Sequence, residues 1–234
     1  MRRDDPGTMV NPRPLERKMA FTLYEHPLSS YCQKAKTAFY EKDIPFESRM
    51  LDGSEPVASD FAALWPIGKF PALTHGDRFV FDATGIIEYL DALHPRSAPL
   101  LPADPVAAAE ARMMDRFFDN YVNYPQQRIV VGRIGRDDAT REPQWRAALE
   151  RAYAWLEKRL AGREWAVGQG FTLADCAAAP ALLYADWTHA IPRDHGALHA
   201  YRARLLTRAS YARALDEARP YRHMFPLGAP EGRD

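Results

Sequence analysis

The chain has 234 residues, 47% of them hydrophobic and 26% charged, which suffices for one large core or two small ones. Lys plus Arg equals Asp plus Glu at 31 each, so no overall field draws it to nucleic acid, acidic lipid or a polyanion, and a small molecule or another protein is the expected partner. Two cysteines, Cys32 and Cys176, are too few for the disulfide scaffold of a secreted domain, and no run of about 18 apolar residues occurs; a cytoplasmic location without a membrane span is expected.

Residues 1–18 hold five basic and three acidic side chains with Pro6, Pro12 and Pro14, and no signal-peptide core. They read as a disordered extension, with Met19 as an alternative start. Phe21–Glu25 reads as a strand, Ser30–Glu41 as a helix and Phe46–Met50 as a second strand, a unit that places two parallel strands side by side. A helical patch at Asp60–Leu64 ends at Trp65-Pro66, because proline disfavours helix in the residue before it. Ala72–His75 and Phe79–Phe81 are short strands around Gly76-Asp77, a dipeptide suited to a hairpin turn with positive φ at Gly76. Gly85–Leu93 resumes helical spacing.

The order β-α-β-α-β-β-α closes at His94, and Pro95, Pro99, Pro102 and Pro105 then make a stiff linker. Val106–Tyr124, Gln144–Leu160, Leu173–Trp187 and Ala197–Ala212 all read as helices. The expected organisation is an α/β domain at 19–94, a linker at 95–105, an all-helical domain at 106–225 and a tail at 226–234. Thr172 and Asp175 have the spacing of a reciprocal helix cap, Pro180 is expected to kink the helix that follows, and Cys176 is expected in the core.

Three motifs carry chemistry. Trp65-Pro66-Ile67-Gly68-Lys69-Phe70-Pro71-Ala72-Leu73 is similar to N-P-x-G-x-V-P-x-L, Phe81-Asp82-Ala83-Thr84-Gly85-Ile86 to E-S-x-A-I, and Ser29-Ser30-Tyr31-Cys32-Gln33-Lys34 to S-P-[YF]-x-x-[KR]. With the element order, they make Phe21 to about Phe225 resemble the cytosolic glutathione transferase superfamily. The resemblance implies a thioredoxin-like α/β N-terminal domain that binds glutathione, an all-α C-terminal domain that supplies the pocket for a small electrophile, and a homodimer.

It also implies site residues. A cis Phe70-Pro71 bond would turn the backbone of Phe70 toward the cysteinyl residue of glutathione. Lys69 stands where a basic residue meets the glycyl carboxylate, or is a solvated surface lysine. Asp82 would hold the γ-glutamyl ammonium, and the backbone N–H of Ala83 its carboxylate. Thr84 either adds a hydroxyl contact or caps the helix. Tyr31 follows as a member of the first-helix motif. Ser29 corresponds to the catalytic hydroxyl that favours thiolate over thiol, although a serine directly before a helix is also the commonest cap.

Cys32 offers a rival chemistry, thiol-disulfide exchange from a helix N-terminus, against inert packing one turn inside the helix. A third reading is a transferase-fold interaction protein without catalysis, suggested by Trp65 for Asn and Ala83 for Ser. Met114, Phe117, Phe118 and Tyr121 form an apolar stripe of the kind that is usually core. The resemblance makes Met113, Phe117 and Tyr121 candidate linings of the second-substrate pocket, with Trp187, Tyr221 and Phe225 able to close it. No metal is expected, since the seven histidines show no ligand spacing with Cys or acid.

Overall fold

A computed structural model describes residues 20–234, so the expected extension at 1–18 and the start at Met19 lie outside the described residues. Strand β1 (Phe21–Glu25) alternates buried Phe21, Leu23 and Glu25 with half-buried Thr22 and Tyr24, the two-residue period of a pleated strand. Helix α1 (Ser30–Glu41) returns the chain so that β2 (Phe46–Met50) pairs with β1 in parallel. After α2 (Val57–Leu64), β3 (Ala72–His75) pairs antiparallel on the other side of β1, and β4 (Arg78–Phe81) pairs antiparallel with β3. The sheet order is β2-β1-β3-β4. Gly76 turns the hairpin at φ 59°, a conformation that glycine adopts without steric cost. Helix α3 (Ala83–Leu93) closes this domain and buries Ile86, Ile87 and Leu90.

The rest is helical: α4 (Pro105–Phe117), a π-helical turn (Phe118–Asn123), α5 (Tyr124–Arg133), α6 (Glu142–Leu160), α7 (Leu173–Thr188), α8 (Gly196–Thr207) and α9 (Ala209–Ala218), with short 3₁₀ turns at Ala139–Arg141 and Arg219–Met224. All 16 residues of α7 are buried, and the helix runs on through Pro180. Its start carries the expected reciprocal cap. The Asp175 carboxylate accepts from the N–H groups of Thr172 (2.8 Å) and Ala166 (3.0 Å) and from the Tyr201 hydroxyl (2.6 Å). Cys176 is fully buried in this core.

Within the helical domain two helices differ from expectation. The segment expected to end at Tyr124 continues to Arg133: the backbone stays helical through the π-helical turn, whose wider pairing (Tyr124 N–H to the Asp119 carbonyl) comes just before Pro125, where a regular α-helix would clash with the proline ring. The expected helix Ala197–Ala212 is two. Arg208 breaks it at φ −67°, ψ 125°, held there by two hydrogen bonds of 2.6 and 2.7 Å to the Glu41 carboxylate. That tie joins the end of α1 to the start of α9.

Candidate functional site

Three separated stretches meet at one cavity of about 400 Å³, whose lining includes Tyr31, Lys69, Phe70, Pro71, Asp82 and Ala83. The Phe70-Pro71 peptide bond is cis, and Phe70 is partly exposed just before β3. Asp82 sits at φ 69°, a backbone conformation that costs a non-glycine residue on the order of 1–3 kcal/mol. It caps α3: its Oδ1 accepts from the N–H groups of Thr84 (2.9 Å) and Gly85 (3.3 Å), and Ala83, the first residue of the helix, lines the cavity. The helix therefore starts at Ala83, two residues before the expected Gly85.

Thr84 does not belong to this lining. It is buried, accepts from Lys34 Nζ (2.8 Å) and donates to Asp115 Oδ2 (2.9 Å), so its hydroxyl is committed inside the protein, and the cap expected of it is made by Asp82 instead. Lys34, 1% exposed, also pairs with Asp115 Oδ1 at 2.6 Å and Asp119 Oδ2 at 2.7 Å. Burial pulls the Lys34 pKa down, but the two carboxylates more than offset it and hold the ammonium above its ordinary value. With two carboxylates on one ammonium, one negative charge is in excess; burial, with Asp115 nearby, raises the Asp119 pKa despite Lys34. Asp119 also lines the cavity. Burial first, and then the Asp119 charge, raises the Tyr31 phenol, so it stays protonated at neutral pH.

Ser29 caps α1. It is half-buried with extended backbone, and its Oγ accepts from Cys32 N–H at 3.4 Å. It lines a second cavity of about 320 Å³, with Leu28, Gln126, Gln127, Val130 and Phe225 among its walls. The loop before Ser29 is fixed by Gln33, whose Nε2 donates to the Pro27 carbonyl (2.9 Å) and to Tyr184 Oη (2.7 Å). Tyr211 in turn donates to Gln33 Oε1 at 3.1 Å. One buried amide thus ties the start of α1 to α7 and α9.

Met113, Phe117 and Tyr121 are not brought to Ser29. Phe117 and Tyr121 line a third cavity with Tyr124, Trp145 and Trp155, while Met113 is exposed on α4 and lines none of the three. On the apolar stripe, Met114 and Phe118 are buried as expected, but Tyr121 is 60% exposed. The wall of the Ser29 cavity comes instead from α5, and Phe225 closes it, stacked on Tyr184 at 5.8 Å and edge-on to Trp187 at 5.3 Å. Tyr221 faces another cleft. Sequence reading also missed Arg116 and Asn120 beside Asp119 in the first cavity. No motif marks them, but a π-helical turn is a frequent companion of functional sites, and Asp119 and Asn120 lie on it.

Burial pushes the Cys32 thiol up to about 12, despite its contacts with Ser29 and His26. Burial likewise raises Cys176. A thiol so placed is neither ionised at neutral pH nor reachable. Iodoacetamide at pH 8 is expected to label neither cysteine in the folded protein and both in urea, as read by intact mass. Labelling of folded Cys32 would restore the exchange chemistry as a candidate.

Among the described residues no group of His, Cys, Asp and Glu has the geometry of a metal site, and no helix is long and apolar enough to cross a membrane. Residues 23–98 match the glutathione S-transferase N-terminal domain family, and residues 113–209 match the glutathione S-transferase C-terminal domain family. The chain is 36% identical over 148 residues to a glutathione S-transferase-like protein of Fusarium sp, spanning 62% of this chain and 66% of that one. It is 30% identical over 212 residues to FtsZ-localized protein A of Caulobacter vibrioides, spanning 85% and 92%. Its fold superposes on a glutathione S-transferase of Rhodospirillum rubrum F11 with a TM-score of 0.76 at 25% identity, covering 91% of this chain and 97% of that one. A four-stranded mixed sheet with flanking helices, followed by a helical domain, with both halves matched in sequence, makes this chain a member of the glutathione S-transferase superfamily.

Proposed function

We propose that the chain is a glutathione transferase of the cytoplasm, acting as a homodimer, that binds glutathione along Phe70, Asp82 and Ala83 and activates its thiol for attack on a small, mainly apolar electrophile. One observation carries this reading: Tyr31, Lys69, Phe70, Pro71, Asp82 and Ala83, drawn from three stretches of sequence, line a single cavity. Asp82 offers a carboxylate to the γ-glutamyl ammonium, Ala83 a helix-terminal N–H to the adjacent carboxylate, and Lys69 an ammonium to the glycyl end. The glutathione sulfur lies at the start of α1, where the Ser29 hydroxyl and the helix terminus favour thiolate. The electrophile occupies the cavity walled by Leu28, Val130 and Phe225.

Calorimetric titration with glutathione tests the binding half. The wild-type chain is expected to bind one equivalent. Asp82→Asn keeps the cap, because Asn and Asp cap helices about equally, yet loses a charge-assisted hydrogen bond, and so weakens binding roughly tenfold or more at unchanged thermal stability. Equal affinity in the variant would remove Asp82 from the site.

A second reading has one observation in its favour. Ser29 lines a different cavity from Phe70 and Asp82, and its hydroxyl accepts the N–H of Cys32, as a purely structural cap does. A transferase-fold interaction protein would satisfy this arrangement, and the relative named for localisation with FtsZ shows 30% identity over 212 residues. It would give no heat with glutathione and no conjugation of a chlorinated nitroaromatic.

A further inference from the structure

The cleft between the sheet edge and the C-terminal helices encloses about 830 Å³, more than either cavity at the start of α1. It shares no wall residue with them. Its floor is charged: Glu25 at the end of β1 is 1% exposed and Lys36 of α1 is 3% exposed. Lys36 Nζ donates to Glu25 Oε1 at 3.1 Å and pairs with Glu217 Oε2 of α9 at 2.5 Å. The Ser48 hydroxyl donates to the same Glu25 Oε1 at 2.7 Å, and Tyr40 donates to Glu217 Oε1 at 2.6 Å. Among the described residues Glu25 Oε2 is buried and receives no donor.

A buried carboxylate oxygen without a donor carries a desolvation cost of about 1–3 kcal/mol or more, and since Glu25 lines this cleft, a partner entering it is the natural source of the missing donor. The sign of the partner follows from the other charges. Glu25, Asp43 and Glu217 face Lys36 and Arg213 across the cleft, which leaves one negative charge in excess. Lys36 is already committed to two carboxylates, and Arg213 stacks over the Tyr40 ring at 4.1 Å. The remaining walls are apolar or aromatic, with Phe39, Tyr40, Phe46 and Tyr221 among them. Aromatic faces attract a cation and cover an apolar body equally well.

We propose that this cleft is a binding site for a small organic amine, its primary ammonium donating to Glu25 Oε2 and its aromatic or aliphatic body lying between Tyr40, Phe46 and Tyr221. The site is separate from the proposed glutathione cavity and does not depend on that reading. The ligand is a monocation with an apolar tail, because an anion meets excess negative charge and a neutral donor can reach Glu25 Oε2 but leaves that charge unbalanced.

Calorimetric titration of the full chain with phenethylamine tests it, with phenylacetate and phenethyl alcohol as the anionic and neutral counterparts. Saturable 1:1 binding of the amine alone is expected, unaffected by added glutathione. Glu25→Gln removes the charge and should weaken binding roughly tenfold or more. Ser48→Lys is the second variant. Ser48 is an exposed edge-strand position beside Glu25, and a lysine there supplies a competing ammonium, which should abolish binding while circular dichroism stays unchanged. The proposal is overturned by the absence of saturable heat, by equal binding of phenylacetate, or by binding unchanged in Ser48→Lys. A crystal soak that shows only water beside Glu25 would overturn it as well.

Discussion

Replacing Lys34 by Met is expected to cost about 3–5 kcal/mol of folding stability, the range seen when one partner of a buried ion pair is removed. Met fills much of the same volume, so the loss is electrostatic rather than a cavity. Asp115 is fully buried and Asp119 nearly so, and without the ammonium two neighbouring carboxylates confront each other in a low-dielectric site. Urea unfolding should show a lower midpoint with an unchanged slope. The deficit should hold across neutral pH, because the raised Lys34 pKa keeps the wild-type ammonium charged there and releases its contribution only in the alkaline range. Below neutral pH the deficit should shrink, since the unpaired carboxylates in the variant relieve their repulsion by taking up protons. Adding Asp115→Asn and Asp119→Asn should recover part of the loss. A single-variant cost under about 1 kcal/mol would mean that the three groups do not form a dry network.

The same network shows what the sequence could disclose and what it could not. Lys34 is the basic residue of the first-helix motif and Thr84 lies in the second, yet their meeting depends on Asp115 and Asp119, which belong to no motif and arrive from a helix 81 and 85 residues further along. Local chemistry was legible where local chemistry decides: the strand alternation of β1, the Gly76 turn and the Thr172–Asp175 cap all follow from neighbours within a few residues. Long-range ties were not. Arg208 ends α8 because Glu41 holds it, and nothing near Arg208 in the chain announces that partner. Likewise Met113, Phe117 and Tyr121 sit one helix away from the cavity beside Ser29, since α5, hidden behind Pro125, comes between as its wall. A binding cavity is a property of several helices at once, and a stripe on one helix specifies only its own burial.

Ser29 carries the second large effect, and its two roles can be separated by experiment. A glutathione thiol with an ordinary pKa of about 8.5 must fall by one to two units to be mostly ionised at neutral pH, which is about 1.4–2.7 kcal/mol of preferential stabilisation of the thiolate. One hydroxyl donor at a helix N-terminus is of the right size to supply most of it. Under the proposed mechanism, Ser29→Ala should therefore lower kcat/KM for conjugation about 10- to 100-fold at pH 7, with glutathione affinity nearly unchanged. The gap should narrow as pH rises past the free thiol's own pKa, because the thiolate then forms without help. Ala also removes the cap to the Cys32 N–H, at about 1 kcal/mol of stability. Ser29→Gly resolves the ambiguity: glycine costs a cap only a few tenths of a kcal/mol, so a near-normal melting temperature with a lost rate assigns the effect to the hydroxyl. Both variants keeping full rate would make Ser29 a cap and nothing more. The protonated Tyr31 phenol, which already faces the cavity of Phe70 and Asp82, would then be the hydroxyl to remove next, as Tyr31→Phe.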